Sequence, residues 1–166
     1  MWLALLIAVA KPEVDVIPAV DGLGFSATVR GPIAVPFAKV DSIVKDPLTF
    51  PSWIPAMKEI KREGDTKVYA VRWELPWPVG EVKQRLLFES SKEGPDDIYS
   101  WKQVSGGMDR HDGMFRIRPS HEGTYAEYVS AIALRIWIPE WLLRKLQQRA
   151  MPSFIRRLGE RAAKVP

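Results

Sequence analysis

The chain has no cysteine among its 166 residues, which excludes disulfides, thiolate metal sites and thiol nucleophiles together. Histidine is nearly missing as well, with only His111 and His121. No P-loop, glycine-rich dinucleotide fingerprint or His-Glu-x-x-His pair occurs, and Ser105-Gly106-Gly107 is no G-x-S-x-G elbow. Charge of one sign is not in excess: 24 Lys and Arg face 20 Asp and Glu, for a net charge of +4. None of the motifs of nucleic-acid modules is present, so no nucleic-acid partner is expected. The one long apolar run, residues 1–10, is about half the roughly 20 residues that a membrane-spanning helix needs.

That run, MWLALLIAVA, is followed at once by Lys11-Pro12-Glu13. Ala8-Val9-Ala10 supplies an A-x-A pattern, so residues 1–10 resemble the apolar core and cleavage site of a secretory signal without its basic leader. A truncated signal peptide and a periplasmic or secreted protein are expected; a cytoplasmic protein is the alternative. Residues 11–22, with Pro12, Pro18 and Gly22, read as a linker, and residues 23–163 as one domain, a size that can bury a core. Seven Trp supply large apolar area for that core or for a pocket.

Residues 25–29 alternate as a strand. Short helices fit 36–45 and 48–56, divided by Asp46-Pro47, since the residue before proline avoids the α region. Period-two strands then fit 59–62, 67–75, 79–90, 98–104, 113–118 and 124–137. The turns between them are short, which requires antiparallel neighbours. A long amphipathic helix closes the chain over 139–163: Trp141, Leu142, Leu146, Ala150, Met151, Phe154, Ile155, Leu158 and Ala162 form its apolar stripe. Arg144, Lys145, Arg149, Arg156, Arg157, Arg161 and Lys164 read as its solvated face, with attraction to an anionic membrane surface as the next reading. Pro152 should kink or break it. Packing such a helix across a curved antiparallel sheet gives an α+β fold with space between the two layers.

Three segments carry a resemblance: Asp46 through Phe50-Pro51-Ser52-Trp53-Ile54-Pro55, then Leu75-Pro76-Trp77-Pro78-Val79, then Ile138-Pro139-Glu140-Trp141-Leu142. Their order is similar to that of the START-like superfamily (SRPBCC, helix-grip or Bet v 1-like fold), which includes bacterial polyketide cyclase/dehydrase-type domains. The resemblance covers residues 23–163. It implies a curved antiparallel sheet wrapped around a C-terminal helix, two short helices after the first strand, and a cavity for a hydrophobic ligand. START domains often carry an Arg-Asp pair shortly after the Pro-Trp-Pro segment. Here Val82-Lys83 stands in that region, which implies a greasier cavity wall.

Strand parity selects the inward side chains: Tyr69, Val71 and Trp73; Val82, Gln84, Leu86 and Phe88; Tyr99 and Trp101; Phe115 and Ile117; Tyr128, Ser130, Ile132 and Leu134. With Trp53 from the short helices and Leu146, Ala150 and Phe154 from the long one, they form, Ile117 and Leu134 apart, the candidate ligand-binding set. Gln84, Tyr128 and Ser130 are its polar members and would orient a headgroup or hydroxyl, or bond a neighbour. Glu74, Arg85 and Glu89 fall on the outer face. His111 and His121 read as hairpin-loop residues; Asp109, His111 and Asp112 could meet at a metal, but turn formers are the plainer reading. No catalytic residue, metal or cofactor is expected. The expected function is binding, with possible transfer, of a lipid, sterol, fatty acid or quinone by a monomer. A cyclase or aromatase using the same cavity is one alternative. The other is an interaction module with a collapsed cavity, in which Trp77 and Trp137 would be contact residues unless buried at the sheet rim.

Overall fold

A computed structural model describes residues 12–18 and 24–166. The expected signal peptide at 1–10 lies outside the described residues. Eight strands form one antiparallel sheet: β1 (Glu13–Pro18), β2 (Phe25–Ile33), β3 (Met57–Arg62), β4 (Val68–Leu75), β5 (Gly80–Glu93), β6 (Asp96–Gly106), β7 (Met108–Ser120) and β8 (Gly123–Leu134). Their order is β1-β2-β8-β7-β6-β5-β4-β3. The meander of β3 to β8 is thus completed when β8 pairs with β2. Part of the stretch expected as a linker is β1, which pairs with β2 from Glu13↔Arg30 to Pro18↔Phe25.

Helix α1 (Phe37–Val44) and a short 3₁₀ segment (Pro47–Ser52) carry the chain from β2 to β3 at the far edge. Val40, Ile43 and Val44 are the buried positions of α1, spaced to lie on one helix face. Asp46 caps the 3₁₀ segment by accepting from the Leu48 N–H at 3.1 Å, and Pro47 sits where its missing N–H costs nothing. The Thr49 hydroxyl donates to the carbonyls of Ile43 and Asp46, tying the 3₁₀ segment to the end of α1. Phe50 and Trp53 thereby point under the sheet, both buried.

Helix α2 (Glu140–Ala163) runs without interruption through Pro152, so the proline does not break it. The carbonyl that loses its partner belongs to exposed Gln148, where water can replace the bond. The buried residues of α2 are Met151, Ile155, Leu158 and Ala162, all in its second half. The Lys39 ammonium donates to the Val165 carbonyl at 2.7 Å, and Arg161 donates to the Ser52 hydroxyl at 3.1 Å. These contacts hold the second half against α1 and the 3₁₀ segment. The first half, Glu140 to Ala150, contains no buried residue. Among the described residues no helix is long and apolar enough to cross a membrane.

Candidate functional site between the sheet and the long helix

Cross-strand partners share a face of the sheet, so register fixes which side chains meet. Ser130 pairs with Gly113, Gly113 with Trp101, and Trp101 with Phe88. A second row joins Tyr128 to Phe115 and Phe115 to Tyr99. On the other flank Tyr69 opposes Leu86, Val71 opposes Gln84, and Trp73 opposes Val82. The inward set read from alternation is therefore one continuous inner face. Glu74, Arg85 and Glu89 are exposed, as parity required.

Aromatic rings fill the space over that face. Phe154 of α2 stacks on Tyr128 with centroids 4.4 Å apart and planes 14° from parallel. Tyr128 stacks on Trp101 at 5.6 Å, and Phe115 lies 4.9 Å from Tyr128. Phe50 and Trp53 close the cluster from the 3₁₀ segment, edge-on to one another at 5.6 Å. Offset and edge-to-face pairs of this kind are favoured by the ring quadrupoles. Gly113 is what admits Trp101: a Cβ there would overlap the Cζ2–Cε2 edge of the indole. The void left inside measures about 20 Å³ and is lined by Phe50, Ile54, Met57, Trp73, Leu86, Phe88, Trp101, Phe115 and Tyr128. It has room for a single water molecule.

A string of side-chain hydrogen bonds runs along one end. Gln103 Nε2 donates to the Met108 carbonyl at 2.8 Å, Gln84 Nε2 donates to Gln103 Oε1 at 2.6 Å, and His111 Nδ1 meets Gln84 Oε1 at 2.9 Å. Gln84 Oε1 can only accept, so His111 carries its proton on Nδ1 and Nε2 keeps the lone pair. Burial pushes the imidazole pKa down to about 4 against a smaller upward pull from Asp112, so the ring is neutral. His111 is only 5% exposed and lies between Trp73 and Trp101, centroids 5.5 and 6.2 Å away.

His111 is therefore no solvated loop residue. Strand β7 begins earlier than its sequence pattern suggested, and His111 continues inward through Gly113, Phe115 and Ile117 at period two. Asp109, His111 and Asp112 do not converge: Asp109 faces Arg135 and Asp112 faces Arg110. Among the described residues no His, Asp and Glu group could hold a metal.

Burial also pushes the Tyr128 phenol up to about 12, offset in part by its hydrogen bond with Ser130. The indole N–H groups of Trp53, Trp73 and Trp101 are buried with no acceptor among the described residues. Each such donor costs about 1–3 kcal/mol.

No protein-family model matches the chain, and no curated protein matches it. Solved structures do. Human STARD10 superposes with a TM-score of 0.76 at 16% identity, over 95% of this chain and 71% of that one. Human StAR-related lipid transfer protein 5 gives 0.75 at 13%, over 93% and 83%. The STAR-related lipid transfer protein of Xanthomonas axonopodis gives 0.72 at 19%, over 93% and 94%. The chain has the START-like helix-grip fold.

Within this START-like frame the candidate residues fall into three groups. Trp53, Val71, Val82, Gln84, Leu86, Trp101, Phe115, Tyr128 and Ser130 are buried, and Trp73, Phe88, Ile132 and Phe154 are half-buried beside them. Tyr69 and Tyr99 instead line an open cleft of about 610 Å³ outside the cluster, together with Lys45, Arg62, Lys67 and Lys92. There the Tyr99 hydroxyl donates to Asp41 at 2.5 Å; burial and that carboxylate raise its pKa. Phe88 borders both spaces. Leu146 is half-buried, but Ala150 is exposed and leaves the set. The buried line of α2 centres on Met151 and Ile155, and a residue one position away is rotated by about 100°.

Phe50, Ile54, Met57 and His111 were not among the expected residues. Phe50 and Ile54 fall four apart in the helix expected over 48–56, which was the available signal; Met57 had none. Trp77 and Trp137 are not buried at the rim: they are 88% and 86% exposed, and Trp141 is 66% exposed. Val79, which follows the Trp77 turn, lines one surface groove with Leu134, Arg135 and Ile136. The three tryptophans therefore stand at one end of the sheet.

Proposed function

We propose that this protein binds a hydrophobic ligand, such as a lipid, sterol, fatty acid or quinone, between the concave sheet and α2, and that it exchanges the ligand at an anionic membrane surface as a monomer. The observation that carries the reading is the continuous aromatic inner face, set in a fold shared with proteins named as lipid transfer proteins. Ligand pockets usually measure about 300–1,000 Å³, far above the present void of about 20 Å³. Binding therefore requires the layers to separate. The first half of α2 is the element suited to move: it lacks a buried residue, and Pro152 removes a backbone hydrogen bond next to the anchored half.

The exposed end fits membrane contact. Tryptophan partitions to the lipid–water boundary, and Lys145 and Arg149 are exposed on α2 with no carboxylate partner among the described residues. Export agrees with the apolar run at 1–10. A cyclase would require an acid–base pair facing the ligand. The titratable groups within the packed cluster are His111, neutral and engaged by Gln84, and Tyr128, with its pKa near 12; Tyr69 and Tyr99, the latter donating to Asp41, line the separate cleft. The filled interior and the bare tryptophans are what favour the interaction-module reading.

Native mass spectrometry of the protein purified from its host, with lipid extraction, separates these readings. One hydrophobic molecule per chain and co-sedimentation with vesicles containing phosphatidylglycerol are expected. No bound molecule, no rise in Tm with added lipid and no vesicle binding would refute the proposal.

A further inference from the structure

The lining of the void is apolar apart from three side chains. Of the residues that line the void, Trp73, Trp101 and Tyr128 carry polar atoms, and none carries a charge. The two indole N–H groups are buried and have no acceptor among the described residues. Both rings lie against the same imidazole, that of His111. The third unpartnered indole, Trp53, packs on Phe50, Phe115 and Phe154 and does not line the void.

Buried polar groups in folded proteins are nearly always hydrogen-bonded, and an exception asks for a partner. An indole N–H can only donate, so its partner must bring an acceptor. The sequence places two unpartnered indoles among the residues that line one void, and the acceptors nearby, the Tyr128 hydroxyl and the His111 Nε2 lone pair, bond to neither.

The ligand's charge follows from the same lining. A carboxylate or phosphate brought here would be buried with no cation beside it, and a buried unpaired charge is far costlier than a buried dipole. An uncharged carbonyl oxygen has two acceptor lone pairs and no charge to desolvate.

We propose that the ligand is an apolar molecule bearing an uncharged carbonyl, a ketone, ester or quinone, whose oxygen accepts hydrogen bonds from the indoles of Trp73 and Trp101. This rests on the binding function proposed above and adds the ligand's polar chemistry. The apolar remainder of the ligand lies along the Phe115 and Leu86 side of the inner face. Discrimination arises because an alkane entering this site leaves both donors unpaired, whereas a carbonyl satisfies them.

The test uses the full chain with ¹⁵N-labelled tryptophan and three probes of matched length delivered from cyclodextrin: methyl palmitate, heptadecane and palmitate. Methyl palmitate is expected to bind at least about 10-fold more tightly than heptadecane, the factor given by one net hydrogen bond of about 1.4 kcal/mol. It should also bind more tightly than palmitate at neutral pH. The indole N–H resonances of Trp73 and Trp101 should move downfield with the ester and not with the alkane. Trp73→Phe and Trp101→Phe assign those resonances and should bring the ester-to-alkane ratio toward 1. If either variant fails to fold, the probe affinities and the response of the seven indole resonances in the unmodified protein decide the matter. Equal binding of ester and alkane overturns the carbonyl assignment and leaves the ligand-binding function standing. Tightest binding of palmitate overturns the uncharged class. Failure of all three probes to bind removes the binding function and this inference with it.

Discussion

Acid should weaken this fold in a window set by His111. The ring is buried, donates from Nδ1 to Gln84 and has its pKa pushed down to about 4 from an ordinary 6.5. In the unfolded chain it titrates near 6.5; in the folded one it stays neutral until about pH 4. Below 6.5 the unfolded state thus binds more protons, so stability falls as pH falls. The interaction is fully present above pH 6.5 and is lost progressively toward pH 4. A difference of about 2.5 pH units at 1.36 kcal/mol each gives a loss of about 3 kcal/mol. That is a large share of the 5–15 kcal/mol typical of a domain. The assay is urea unfolding of the protein and of His111→Gln at pH 7, 6, 5 and 4.5, followed by tryptophan fluorescence. Carboxylates such as Glu59, held low by Lys61, and Glu63, held low by Arg85, titrate equally in both proteins and cancel in the difference. The gap between the two stability curves should therefore change by roughly 1.4 kcal/mol per pH unit between pH 6 and 4.5. Parallel curves over that range would show that His111 does not stay neutral in the folded protein, and the argument from burial would fail.

Gly113→Ala places a methyl group against the edge of Trp101 and should destabilise by about 1–3 kcal/mol while shifting the Trp101 indole resonance; unchanged stability and an unmoved resonance would contradict the packing described. If the run at 1–10 is a signal, mass spectrometry of the native protein should find a mature terminus at Lys11; an intact Met1 would sink export.

Much of the inner face was legible because strands expose their parity. Val71, Leu86, Trp101, Phe115 and Tyr128 each have a polar or charged residue on at least one side, and side chains on a strand have no other way to face the core. The long helix was legible from its stripe. Its phase was not: Ala150 and Met151 are equally apolar, and only packing against β2 and α1 selects Met151. Within the stretch expected as a linker, Glu13–Pro18 is a strand; Pro12 and Pro18 had pointed to irregular chain. Edge strands accept proline at their ends, and β1 is such an edge.

The sequence by itself determined the antiparallel meander, the closing helix and the apolar character of the space between them, since periodicity and turn residues are local properties. Only the tertiary structure decided how full that space is, because packing depends on which rings share a volume. It also turned His111 from a loop residue into a neutral core group and left Trp77 and Trp137 bare. Burial of a single side chain is set by neighbours distant in sequence, and no local pattern encodes them.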